Sequence, residues 1–172
     1  MLVRRIFVAL YQDRIPFVLI GGAALTAYGS TRVSLDTDIA IKALDTGRVA
    51  ELSYRSGLEL VVGVDAKQRP IMAETVDKAL AFLRDSRQGF MKFLSQEAEL
   101  DFIYDNPVPF MRLHSMGREV ELDGLKVRLA CLEHLKIMKE LSTKNRDDED
   151  KALADRLDLE FIDRLLRRAQ QE

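Results

Sequence analysis

Residues 17–41 read FVLIGGAALTAYGSTRVSLDTDIAI. The apolar run from Phe17 to Ile20 predicts a buried strand, Gly21-Gly22 a turn, and Ala23 to Tyr28 a short apolar helix. A polar loop with Ser30, Thr31 and Arg32 follows, then a strand carrying Asp36 and Asp38, with Thr37 to Ile41 as its body. Residues two apart on a strand share a face, roughly 7 Å from each other. Two carboxylates held so repel one another unless a cation lies between them. Hard divalent cations such as Mg²⁺ favour these oxygen ligands and complete their shell with substrate phosphates. A Gly-Gly turn ahead of a helix leaves backbone N–H groups open to an anion. A phosphate cradle beside a metal-binding carboxylate pair points to chemistry on a nucleotide.

The same segment resembles the DNA polymerase beta-type nucleotidyltransferase superfamily, whose signature is a Gly-Gly or Gly-Ser turn followed, after a short spacer, by Asp-x-Asp. Gly21-Gly22 and Asp36-x-Asp38 match it. The pattern Gly-Gly-x-Ala-x-x-x-Tyr-Gly-x-x-Arg, from Gly21 to Arg32, is similar to that of small stand-alone AbiEii-type proteins, many of them toxins of toxin–antitoxin pairs. The resemblance implies an α/β fold (α+β by some definitions), with a small mixed sheet flanked by helices. Residues 1–130 would form the nucleotidyltransferase core and residues 131–172 a C-terminal helical segment packed on it.

The implied activity is transfer of a nucleoside monophosphate from a nucleoside triphosphate to an acceptor hydroxyl. Asp36 and Asp38 would hold two Mg²⁺ ions, with Mn²⁺ as the substitute. A third acid, on a later strand beside the Asp-x-Asp strand, would share one ion and assist deprotonation of the acceptor. Asp101, in Glu99-Leu100-Asp101-Phe102-Ile103, is preferred for its apolar flanks; Glu99 competes from the same strand face. Gly21, Gly22, Ser30, Thr31 and Arg32 are assigned to the triphosphate. Gly22 lacks the hydroxyl that a serine brings in many relatives, so backbone amides and Ser30 or Thr31 have to compensate. Arg32 either grips phosphate bidentately or forms a salt bridge to one of the acids. Lys136, on the helix after the last hairpin, would offset pyrophosphate charge, with Arg146, Asp147 and Asp150 completing a basic-Asp-x-x-Asp cluster; Lys139 is its alternative. The acceptor is a tRNA 3′ end, a protein side-chain hydroxyl or a small molecule such as an antibiotic, and an antitoxin is the implied protein partner. The other class of reading is a nucleotidyltransferase-fold protein that binds or regulates without turnover.

Composition sets the outer bounds. The 172 residues are 47% hydrophobic and 31% charged, as in ordinary globular domains, and the net charge of −2 provides no global basic field for nucleic acid or membrane. Cys131 is the lone cysteine, which excludes an internal disulfide and reads as a structural thiol in a reducing cytoplasm. Arg4-Arg5 and the following apolar run imitate a secretory signal, but Gln12, Asp13 and Arg14 interrupt it. The apolar stretch from Phe17 is also short of the ~20 residues that span a bilayer. A cytoplasmic protein with no membrane partner is expected. His114 and His134 have no Cys or His partner nearby in sequence, and no G-x-x-x-x-G-K-[ST] motif occurs.

Elsewhere, Leu2 to Gln12 predicts an amphipathic helix, and Asp45 an N-cap for a helix to about Arg55. Leu58 to Val64 is an extra strand or a helix end, and Ile71 to Leu83 has helical spacing. Phe90 to Leu94 and Leu100 to Tyr104 predict an antiparallel pair. Val120 to Leu129 predicts a hairpin about Asp123-Gly124. From Cys131 onward three helices are expected: Leu132 to Leu141, Asp150 to Leu157 and Leu159 to Ala169. Arg164, Arg167 and Arg168 form an RNA-facing patch or a solvated helix face.

Overall fold

The computed structural model describes residues 2–32, 34, 36–144 and 149–171. Helix α1 (Leu2–Gln12) turns Leu2, Ile6, Phe7 and Leu10 inward, as its apolar spacing requires. Strand β1 (Phe17–Leu19), helix α2 (Gly21–Ala27) and strand β2 (Asp36–Ile41) follow. A 3-10 turn (Ala43–Asp45) leads into α3 (Thr46–Arg55), β3 (Glu59–Val64) and β4 (Pro70–Met72). Then come α4 (Val76–Asp85), β5 (Phe90–Leu94), β6 (Glu99–Ile103) and α5 (Phe110–Met116). The chain closes with β7 (Arg118–Leu122), β8 (Leu125–Leu129), α6 (Leu132–Lys144) and α7 (Glu149–Ala169).

The strands form one mixed sheet in the order β4-β3-β5-β6-β2-β1-β8-β7. β2 runs parallel to β6 and β1 parallel to β8; the other neighbours are antiparallel. The fold class is the expected α/β with a mixed sheet. The helices associate in two groups, α1 with α3 and α4, and α2 with α6 and α7. Ile39 and Ile41 of β2, Leu100 and Phe102 of β6 and Phe93 of β5 lie fully buried in the core. Alternation along each strand therefore leaves the intervening residues, several of them acids, on the opposite face. At the β7–β8 turn Asp123 (φ 49°) and Gly124 (φ 76°) take the left-handed conformations that a two-residue hairpin needs.

Several expectations are corrected. Ile71 belongs to β4, which pairs with β3 (Val61 opposite Met72), and α4 starts only at Val76. The Thr75 hydroxyl caps that helix by accepting the Lys78 N–H, a start signal that apolar spacing alone overlooks. Asp45 stands at the N-cap of α3, but its carboxylate makes no capping bond and instead accepts from Arg48 Nη1 at 2.8 Å. Pro109 ends the preceding irregular stretch and also opens α5, a helix not foreseen. The C-terminal residues form one continuous α7 where two helices were expected, since no glycine or proline interrupts residues 149–169 and Asp158 lies within the helix. No helix among the described residues is long and apolar enough to cross a membrane.

Candidate active site

The pairing of β2 with β6 places Asp36 opposite Glu99 and Asp38 opposite Asp101. β5 then sets Lys92 opposite Asp101. Oxygen atoms of Asp36, Glu99 and Asp101 come within 4.8 Å of one another. Asp101 Oδ1 is buried without a hydrogen-bond partner among the described residues, while its Oδ2 lies 3.3 Å from Lys92 Nζ. Lys92 also pairs with Glu99. Asp36, Asp38, Glu99, Asp101 and Asp155 line one cleft with Arg32, Lys92 and Lys139, an excess of negative charge, and an all-oxygen donor set suits a hard divalent cation. Among the described residues Asp36, Glu99 and Asp101 form the one cluster of three or more potential ligands, without Asp38, and neither histidine nor Cys131 belongs to it.

The acids do not titrate alike. Burial and the neighbouring Asp36 and Asp101 push Asp38 up to about 7. Burial raises Asp101 as well, despite the attraction of Lys92. At Asp36 burial is outweighed by the hydrogen bond from Ser34 Oγ (2.8 Å), a backbone hydrogen bond and more distant lysines, so its carboxyl stays below the ordinary range. A cation binding at Asp38 must displace a proton near pH 7. Mg²⁺ affinity is therefore expected to fall about tenfold from pH 8 to pH 6. Isothermal titration at the two pH values checks this, and equal affinities would contradict it.

Gly21 holds φ +61°, and a Cβ there would fall 1.9 Å from Asp38 Oδ2. The backbone thus presses directly on the carboxylate, which no side chain would permit. Gly21→Ala is expected to cost at least ~1 kcal/mol from its backbone conformation alone, and to displace Asp38 besides. Thermal melting together with Mg²⁺ titration should register both losses; a variant matching the wild type in each would refute the close approach.

A second layer of charge backs the acids. Arg32 donates from Nε (2.8 Å) and Nη2 (2.7 Å) to both carboxylate oxygens of Asp158 on α7. Lys139 of α6 lies 2.8 Å from Asp155 Oδ1 and 2.8 Å from Asp158 Oδ2, and Ser142 Oγ donates to Asp155 Oδ2. Asp155 and Asp158 are almost fully buried, at 1% and 2% exposure. They share a helix face with buried Ile162, so α7 turns acids toward the site where it would otherwise turn apolar residues.

No protein-family model and no curated protein sequence matches the chain. Solved structures do. ANT(2″)-Ia in complex with adenylyl-2″-tobramycin superposes with a TM-score of 0.66 at 13% identity, covering 96% of this chain and 87% of that one. The lincosamide antibiotic adenylyltransferase LnuA, bound to lincomycin, gives 0.57 at 14% identity over 94% of each chain. A Thermotoga maritima protein assigned as a nucleotidyltransferase gives 0.55 at 17%, covering 90% of this chain and 89% of that one. The chain has a nucleotidyltransferase fold. At these identities the likeness is one of fold.

Within this nucleotidyltransferase fold, a cleft of about 670 Å³ is lined by Gly22, Arg32, Asp36, Asp38 and Asp101, together with Ser34, Lys92, Glu99, Lys139 and Asp155. Gly21 and Asp38 also face a neighbouring pocket of about 440 Å³ walled by Ile20, Ile103, Pro107, Met138 and Leu141. Ser30 and Thr31 do not line the acid cleft. They border an adjoining, largely apolar cavity of about 530 Å³ between α1, α2 and the β7–β8 hairpin, which shares Arg32, Ser34 and Asp36 with the cleft. Lys136 is also absent from the cleft wall: its Nζ sits 2.6 Å from Asp163 Oδ1, whereas Lys139, three residues along, lines the cleft. Arg32 has a salt bridge, though to Asp158 and not to a β2 acid. Arg146 and Asp147 lie outside the described residues, and Asp150 is described only by its place in α7. Cys131 is half-buried just ahead of α6, and burial pushes its thiol up, away from reactivity.

Sequence reasoning did not single out Ser34, Lys92, Asp155 or Asp158. The last two carried a legible signal, acids three apart in phase with Ile162 on an amphipathic helix. Ser34 and Lys92 carried none, since only the loop path and the strand register bring them to the acids.

Proposed function

We propose that this chain transfers a nucleoside monophosphate from a nucleoside triphosphate to an acceptor hydroxyl. The observation that carries this reading is the placement of Asp36, Asp38 and Asp101 on two adjacent parallel strands facing one cleft, Asp38 and Asp101 in direct register. Oxygens of Asp36, Glu99 and Asp101 gather closely enough to share a cation, and the Oδ1 of Asp101 is unpartnered among the described residues, which fits Mg²⁺ or Mn²⁺; Asp36, Asp38 and Asp101 are the residues that would hold it, with Glu99 within reach. Bound divalent cations supply positive charge to the attacking and leaving oxygens of such a displacement. The chain's own residues do the rest. Asp101, its basicity raised by burial, accepts the acceptor's proton. Gly21 and Gly22 let the Asp38 carboxylate and the Ser34 hydroxyl lie directly against the backbone, and Arg32, held by Asp158, offers its remaining N–H groups to phosphate oxygens. Lys139, which lines the cleft where Lys136 does not, takes the role of offsetting pyrophosphate charge. The apolar pocket beside Asp38 has room for the nucleobase.

Resemblance to AbiEii-type proteins supports a tRNA 3′ end or a protein side-chain hydroxyl as acceptor, in a toxin held by an antitoxin. Two structural neighbours, one complexed with adenylylated tobramycin and one bound to lincomycin, support a second reading, a small hydroxylated acceptor. The test is incubation with each α-³²P-labelled NTP and Mg²⁺, with cell extract or with those antibiotics, beside an Asp36→Ala/Asp38→Ala control. Label on RNA, protein or antibiotic that disappears in the control names the acceptor. Nucleotide binding without any transfer would favour the non-catalytic reading.

A further inference from the structure

Gly22 and Ser34 occupy one place between them. A Cβ on Gly22 would lie 2.5 Å from Ser34 Oγ and 2.8 Å from Ser34 Cβ. The space that a side chain at position 22 would fill is therefore already taken by the hydroxyl of a loop residue twelve positions later. That hydroxyl is engaged, donating to Asp36 Oδ1 at 2.8 Å. Both residues line the acid cleft. Arg32 Nη2 stands 3.0 Å from the same would-be Cβ, so the hydroxyl is penned between Gly22, Arg32 and Asp36 with little freedom to turn away.

We propose that Ser34 is a positioning residue, whose hydroxyl fixes the carboxylate of Asp36 for cation binding and whose place requires position 22 to be glycine. This inference rests on the metal-dependent reading of the acid cluster. A partner that orients a ligating carboxylate typically changes metal affinity by about 10- to 100-fold when removed. The geometry also makes a reciprocal demand. A serine Cβ at position 22 would stand 2.5 Å from the present Ser34 Oγ, so its hydroxyl, one bond further on, reaches toward that place, provided that residue 34 has given it up.

Four proteins test this: wild type, Ser34→Ala, Gly22→Ser and the double variant, each titrated with Mn²⁺ alone by electron paramagnetic resonance and assayed for nucleotidyl transfer, with circular dichroism to confirm folding. Ser34→Ala should weaken Mn²⁺ binding about tenfold. Gly22→Ser alone should also weaken it, because two side chains compete for one site. The double variant should bind more tightly than either single one. Single losses that merely add in the double variant, or a Ser34→Ala protein with wild-type Mn²⁺ affinity, would overturn the proposal. Because the titration contains no nucleotide, its result stands apart from the function itself: wild-type protein that binds Mn²⁺ but transfers nothing would count against the transferase reading and leave the role of Ser34 to be judged by the affinities.

Discussion

Asp38→Asn is expected to lower nucleotidyl transfer by about three orders of magnitude or more, while the metal-free protein becomes more stable at neutral pH. The two effects share one cause. Asp38 has like charges in Asp36 and Asp101, is largely removed from water, and is held against the backbone of Gly21. In the unfolded chain it titrates near 3.8, in the folded protein at about 7. As pH rises through this window the unfolded chain ionises first, so folding is progressively penalised, and above 7 the penalty is complete. Below the unfolded value both states are protonated and the penalty is absent. Melting temperature against pH, recorded in a chelator, should thus fall for the wild type from pH 5 to pH 8 more steeply than for Asp38→Asn. Parallel curves would show that Asp38 is not strained by its neighbours. Strain of this kind at a site that awaits a cation is a familiar exchange of stability for function.

The second large effect lies outside the acid cluster. Asp158→Ala removes the carboxylate that Arg32 grips with two bonds and that Lys139 also contacts, at a position 2% exposed. Breaking a buried ion pair from one side leaves its cations poorly compensated and typically costs ~3–5 kcal/mol; the exposed third of Arg32 places the expected loss toward the lower end of that range. Urea denaturation measures it. Lys78→Ala, which severs the exposed pair between Lys78 of α4 and Glu74 just ahead of it, is the control and should leave the midpoint where it was. Asp158→Ala should also raise KM for the nucleotide, since Arg32 loses the anchor that aims it at the cleft. A variant as stable as wild type would mean that α7 does not hold the loop after α2.

How much of this was legible beforehand follows from where the constraints lie. Strand β2 and the face shared by Asp36 and Asp38 were readable because a period of two is local information, and so was the hairpin at Asp123-Gly124, where two left-handed residues admit few alternatives. The choice between Glu99 and Asp101 was not local. Register against β2 places both on the acid face, Asp101 opposite Asp38 and Glu99 opposite Asp36, so both remain within reach of a cation. The cationic partners were harder still. Lys136 and Lys139 are less than a turn apart, and only the packing of α6 on α7 decides that Lys139 meets Asp155 and Asp158 while Lys136 meets Asp163. Ser34 escaped notice because the missing hydroxyl at Gly22 directs attention to the nearer Ser30 and Thr31, yet of the three only Ser34 lines the acid cleft as well as the cavity beside it.

The most direct measurement needs no knowledge of the acceptor. Wild-type protein and Asp36→Ala/Asp38→Ala are titrated by calorimetry with a non-hydrolysable ATP or GTP analogue, with and without Mg²⁺. Binding that requires Mg²⁺ and is lost in the double variant is the expected result, because the acids bind nucleotide only through a shared cation. Binding that is indifferent to Mg²⁺, or that survives removal of both carboxylates, would contradict a metal-dependent nucleotide site at Asp36 and Asp38.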